Sequence, residues 1–154
     1  MSNLTLFQIA KIEENQALAI LQAKYNVEDR TDWAMDPNKI YAMDFFLPDL
    51  KIAIDYKYKV LNTKYNTFCL QWEHFVKYMN YINNQDDIDQ GFLWYKDSIS
   101  LKNFKINLND LYRHIFSSTI PLKQGNSLYT KYSDNGCFFP IPISLFDTID
   151  VIEF

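Results

Sequence analysis

Asp44 stands in the middle of an apolar run, "IYAMDFFL", and the next run, "LKIAIDYKYKV", carries Asp55 and Lys57 toward its end. A carboxylate is costly to place among apolar neighbours unless something answers its charge. Between the runs, Pro48 and Asp49 suit a tight connection, so the pattern predicts strands over Lys39 to Leu47 and Leu50 to Val60, folded as an antiparallel hairpin. A turn at Pro48 to Leu50 sets Asp44 across from Ile54 or Asp55. Two carboxylates directly across a ladder lie ~5 Å apart at Cβ and repel each other. A divalent cation removes that repulsion, and hard cations such as Mg²⁺ take oxygen ligands. Alternate strand residues share a face, which puts Lys51, Ala53, Asp55, Lys57 and Lys59 together and makes Lys57 a neighbour of Asp55. The same spacing also suits a wetted strand face on which Asp55 pairs with lysines and Asp44 points to water.

Other elements must hold these groups in place. Apolar residues at helical spacing (Leu6, Ile9, Ala10, Ala17, Ile20, Leu21) predict an amphipathic helix from Leu4 to about Tyr25. On that helix Glu13 falls at the centre of the apolar face and Glu14 on its flank, an odd place for a charge. A short strand over Arg30 to Met35 is expected next. Residues 66–83 return to helical periodicity through Phe68, Trp72, Phe75, Met79 and Ile82, and the polar "NNQDDIDQ" ends that helix. "GFLWYK" reads as a strand. A helix over 108–117 follows, capped by Asn107 or Asn109. Asn135-Gly136 marks a C-terminal hairpin, with Pro140 and Pro142 favouring an edge position.

Composition narrows the classes. A chain of 154 residues with 17% aromatic content and three glycines has the makings of one compact domain over 1–154, not of a disordered segment. No apolar run approaches the ~20 residues of a membrane span and no leader pattern opens the chain, so an intracellular, cytoplasmic protein is expected. Cys69 and Cys137 lack metal-ligand spacing and read as buried free thiols. His74 and His114 have no companion cysteines, which argues against zinc. There is no glycine-rich phosphate loop and no nucleophile elbow. A net charge of −4 argues against a broadly basic nucleic-acid coat but leaves room for a local basic rim, for which Lys51, Lys59 and Lys64 are candidates.

The order of these residues resembles the PD-(D/E)XK nuclease superfamily over roughly residues 6–96. The resemblance implies an α/β, restriction-endonuclease-like core: a mixed central sheet flanked by helices in αβββαβ order, here with the C-terminal hairpin appended. Asp44 matches the family's first acidic residue, Asp55 and Lys57 match its (D/E)-x-K triplet, and Glu13 matches the glutamate that many members add from the first helix, with Glu14 as the alternative. Met43 replaces the usual proline, and the triplet opens with Asp instead of the commoner Glu. The literal pair Pro48-Asp49 does not serve, because Asp49 precedes Asp55 on nearly the same extended segment at ~3.3 Å per residue. Gln71 and Phe75 are similar to the Gln-xxx-Tyr element of one branch, with Phe in place of Tyr. The resemblance implies an endonuclease that cuts DNA with Mg²⁺, Mn²⁺ substituting, held by Asp44, Asp55, the Tyr56 carbonyl and Glu13. Lys57 is then catalytic, and Lys59, Lys64 and Gln71 meet the nucleic acid. Junction-resolving and small site-specific types both fit. The small size and the two-fold symmetry of duplex sites point to a homodimer. A catalytically inactive member, serving as a DNA-binding or protein-assembly module, is the alternative.

Overall fold

The computed structural model describes residues 3–39, 42–117, 131–133 and 136–154. Helix α1 spans Leu6–Gln22 and begins at a capping box, in which the Thr5 hydroxyl accepts from the Gln8 amide and the Gln8 side chain accepts from the Thr5 amide. Only its second half reaches the core, through Ala17 and Leu21, while Leu6 and Phe7 are exposed. Strand β1 is Glu28–Asp29, and Thr31–Met35 is a 3-10 helix instead of the expected strand. The cause is local. The Asp29 carboxylate accepts from both the amide (2.9 Å) and the hydroxyl (2.6 Å) of Thr31 and so winds the chain into a turn.

Strands β2 (Phe45–Leu47) and β3 (Ile52–Lys59) form the anticipated hairpin, in the register Phe45 to Ile54, Phe46 to Ala53 and Leu47 to Ile52. Its turn closes by a bond from the Leu50 amide to the Leu47 carbonyl at 3.2 Å and ends at Lys51, whose φ of 54° lies in the left-handed region. Strand β2 is shorter than expected, and Asp44 sits in the bend just before it.

The helix expected over 66–83 is a strand, β4 (Thr67–Gln71), followed by helix α2 (Trp72–Asn83). Phe68 lies four residues before Trp72 and so fits a helical stripe, but it also alternates with Leu70, both buried, around exposed Cys69. The ladder of β4 with β8 decides between the two periods. An exposed Cys69 also departs from the buried thiol expected there; the side chain of Cys137 lies outside the described residues. Strand β5 (Gln90–Asp97) runs parallel to β3, setting Asp55 beside Leu93 and Lys57 beside Tyr95. Strand β6 (Asn103–Asn107) leads directly into α3 (Leu108–Phe116), where the Asn107 side chain caps the amides of Asn109 and Asp110.

At the C-terminus, β7 (Lys131–Ser133) and β8 (Gly136–Pro142) form a hairpin with Ser133 opposite Gly136, while Asn135 lies outside the described residues. Strand β8 is the middle strand of its sheet, contrary to the edge position expected from its prolines. Pro140 and Pro142 nonetheless lie beyond Phe138, its last β7 partner, so neither interrupts that ladder. Strand β9 is Asp147–Ile149.

The six-stranded sheet has the order β1-β2-β3-β5-β6-β9, with only β3 and β5 parallel; β4-β8-β7 form a second, three-stranded sheet. Against one face of the large sheet, α1 packs Ala17 and Leu21 on Phe45, Ile52, Ile54, Tyr56 and Trp94. Against the other, α2, α3 and the small sheet bury Phe46, Ala53, Leu93 and Tyr95. Gly91 allows a close approach here, because a Cβ on it would collide with the Ile82 side chain of α2 unless that side chain shifted. Strand β3 is therefore covered on both faces for most of its length, which overturns the wetted-face reading. Only Lys51 before it and Lys59 at its end are exposed. Among the described residues no helix is long and apolar enough to cross a membrane.

Candidate active site

The bend at Asp44 is held on both sides. Its carbonyl accepts from the Arg30 amide at 2.8 Å, and its Oδ2 accepts from the Tyr56 amide at 2.9 Å. Continuing the β2 to β3 register by one residue brings Asp44 opposite Asp55. Both carboxylates are nearly out of solvent, at 4% and 3% exposure, where a charge persists only with charge-assisted hydrogen bonds around it. Asp55 has these: its Oδ2 accepts from the Tyr78 hydroxyl at 2.7 Å and meets Lys57 Nζ at 2.9 Å. An extended residue projects its carbonyl to the same strand edge as its own amide, so the Tyr56 carbonyl shares the edge on which Asp44 sits.

Electrostatics tie these groups into one cluster. Burial pulls the Lys57 pKa down, but the charge of Asp55, the neighbouring Tyr95, the hydrogen bond to Asp55 and the charge of Asp44 together raise it well above the ordinary lysine value. Lys57 is thus a permanent ammonium. Burial first, then the charge of Asp55 and the bond to it, push the Tyr78 phenol far up, so it remains a donor. Burial and then the Lys57 charge lower the pKa of His74, which sits one turn before Tyr78 on the same face of α2 with ring centroids 6.2 Å apart. His74 is neutral at neutral pH.

Tyr78 belongs to the cluster through its bond to Asp55, and His74 lies one turn before it; sequence reasoning singled out neither for this site. Their signal was present: on the apolar stripe of α2 they stand four residues apart with polar ends, and the stripe faces the strand that carries Asp55.

Glu13 lies elsewhere. Its Oε2 pairs with Lys96 Nζ at 3.1 Å, and its charge bears on the Tyr56 phenol. Tyr56 packs edge-on against Trp94 on the α1 face of the sheet, while Asp55 and Lys57 project to the α2 face. The sheet itself separates Glu13 from the Asp55 side chain. Glu14 pairs with Lys11 at 3.0 Å. Among the described residues no three His, Cys, Asp or Glu side chains converge as a ready-made metal cage. Lys59 is exposed at the end of β3, Lys64 lies over the Tyr65 ring at 5.2 Å in the loop after it, and Gln71 stands at the N-cap position of α2, one turn before His74.

The donor set at the hairpin is all oxygen, from two buried carboxylates and one strand carbonyl. That chemistry fits a hard divalent cation and not a soft one.

No protein-family model matches the chain, and no curated protein sequence matches it significantly. The structure aligns with that of a nuclease from a fusselovirus at a TM-score of 0.59, covering 96% of this chain and 90% of that one at 10% sequence identity. The chain shares its fold with that nuclease. The likeness extends over nearly the whole of both chains.

Proposed function

We propose that this protein is a metal-dependent endonuclease that hydrolyses phosphodiester bonds in DNA, of a junction-resolving or small site-specific type, and that it works as a homodimer. The observation that carries the reading is the meeting of Asp44, Asp55 and Lys57 in one buried cluster, with Lys57 Nζ 2.9 Å from Asp55, on a fold shared with a nuclease. Asp44, Asp55 and the Tyr56 carbonyl are the residues that would hold Mg²⁺ or Mn²⁺. When bound, the ion supplies Lewis acidity at the phosphate and lowers the pKa of water at the site. Lys57, held as an ammonium, neutralises the charge that grows on the phosphate oxygens as the bond breaks. Tyr78 fixes the Asp55 carboxylate and the Tyr56 amide fixes that of Asp44, so neither must reorganise during the reaction. Lys59, Lys64 and Gln71 form the outer contacts to the DNA backbone. We leave Glu13 out of this metal site, because its carboxylate pairs with Lys96 beside the Tyr56 phenol.

The test is incubation with linear, circular, single-stranded and four-way-junction DNA in Mg²⁺ and in EDTA. Cleavage of at least one substrate in Mg²⁺ and none in EDTA is expected, and the preferred substrate separates the two types. No cleavage of any substrate refutes the reading. A second reading draws on the depth at which both carboxylates are buried: a nuclease-fold module that binds DNA or protein without cutting. On that reading divalent cations leave the melting temperature unmoved, whereas a ligand of the folded state raises it.

A further inference from the structure

We propose that the cleft beyond the ends of β3 and β5 takes an unpaired base of the DNA, so that the protein selects DNA with bases out of the stack over continuous duplex. This assignment rests on the reading above and names the class of its substrate. The cleft holds about 610 Å³, within the range of sites that enclose small organic groups. Its walls are chiefly apolar, from Leu61, Ile99, Phe104 and Ile143, and Thr63 adds a hydroxyl for the polar edge of a base.

Strand register ties the cleft to the candidate active site. Lys57 lies beside Tyr95, Tyr95 opposite Phe104, and Phe104 opposite Thr148, which also lines the cleft. Residues paired across a sheet share a face, so Phe104 stands on the face that carries Lys57. Two strands at ~4.8 Å each separate them, about 10 Å in all, a distance that about three nucleotide steps of one strand span. A strand with a phosphate at Lys57 therefore brings a nearby base to the cleft.

The rim is fixed in advance by Asp97. Its Oδ1 accepts from the Leu61 amide at 3.1 Å and the Ile99 amide at 3.3 Å, and its Oδ2 accepts from the amide and the hydroxyl of Ser100 at 3.1 and 2.6 Å. The Ser98 amide adds a bond to the Lys59 carbonyl at 3.0 Å. The loop after β3 and the turn after β5 are thereby joined. Asp97 is the one acid among the described lining residues, and these bonds engage both its oxygens. Around it stand Lys102 in the lining, Lys59 before the loop and Lys64 within it, and residues 59–66 hold no acid at all. A chain of net charge −4 thus sets lysines around an apolar hollow. That pairing complements a base with its flanking phosphates. Drawing a base from a duplex costs stacking and pairing that an already unpaired base does not have to give up, which is the source of the preference.

The experiment measures binding of the full-length protein in EDTA, by fluorescence anisotropy, to a continuous duplex and to the same duplex carrying one unpaired nucleotide. Wild type is expected to bind the second at least about tenfold more tightly, the scale of one stacked base. Ile99→Ser removes part of the apolar wall and Thr148→Trp fills the hollow; both positions are exposed, so both variants are expected to keep their melting temperature. Each is expected to bring the two affinities within about twofold of one another. Lys64→Ala is expected to weaken both DNAs alike and to lower the salt slope by about one. Equal affinity of wild type for the two DNAs, or a preference that survives in either Ile99→Ser or Thr148→Trp, overturns the assignment. Incubation of wild type with both DNAs in Mg²⁺ separates the two levels. Cleavage without a binding preference removes only the role of the cleft, whereas a preference lost in both variants, with no cleavage by wild type, leaves the cleft as a base-binding site and removes the nuclease reading.

Discussion

Replacing Lys57 with methionine keeps much of the side chain's volume and removes the ammonium from a buried carboxylate. At 2.9 Å and an effective dielectric constant of ~20, the gross attraction between Lys57 and Asp55 is about 6 kcal/mol. Desolvation of the two ions offsets part of this, and removing one member of a buried pair costs about 3–5 kcal/mol because the other charge is left behind. The Tyr78 hydroxyl still serves Asp55, which favours the lower end. A loss of about 3 kcal/mol lowers the melting temperature by about 6–12 °C in a chain of this size. Thermal unfolding followed by circular dichroism at neutral pH measures it, and a double-mutant cycle with Asp55→Asn isolates the pair. The cycle is expected to return most of the loss as coupling, so that the double variant is little worse than Lys57→Met. A melting temperature within about 2 °C of wild type, or losses that add within about 0.5 kcal/mol, refutes the buried pair.

Tyr78→Phe deletes a hydrogen bond to a charged, buried acceptor and is expected to cost about 1.5–3 kcal/mol in chemical denaturation, with a fall in any cleavage activity as Asp55 loosens. Because the folded pKa of His74 lies below the ordinary histidine value, the unfolded chain takes up this proton first as pH falls. Its contribution to stability is present above about pH 6.5 and is lost as pH drops through the folded pKa, so His74→Gln is expected to show a shallower acid slope of melting temperature than wild type. Gly91→Ala drives a methyl group into Ile82 and is expected to cost about 1–3 kcal/mol, read from the denaturation midpoint.

The hairpin was legible because two independent signals agreed: Pro48-Asp49 supplied the turn, and alternation on either side supplied the strands. The turn left two registers open, with Asp44 opposite Ile54 or Asp55, and the ladder of the structure selects Asp55. The burial of β3 on both faces was not legible, since Lys51 and Lys59 at the strand's ends look like a wet face while Ala53 and Asp55 between them carry no opposite signal. Glu13 shows a different limit. A helical wheel places it toward the sheet, as the structure does, but cannot say which face of the sheet the helix covers. That choice is tertiary, and it takes Glu13 to Lys96. Phe68 satisfies strand and helix periods at once, so β4 was hidden inside the stripe of α2 until its partner β8, far along the chain, resolved the ambiguity. Strand β6 was passed over, although Phe104 and Ile106 alternate with polar residues; a run of five beside the start of α3 reads as connection. Strand β9 is too short to carry a pattern.

The central claim is that Asp44 and Asp55 grip one divalent ion. Titration of Mn²⁺ into wild type, Asp44→Asn and Asp55→Asn, followed by calorimetry, tests it most directly. Saturable binding to the wild type that vanishes in both variants is predicted; no binding to the wild type, or equal binding to all three proteins, contradicts it.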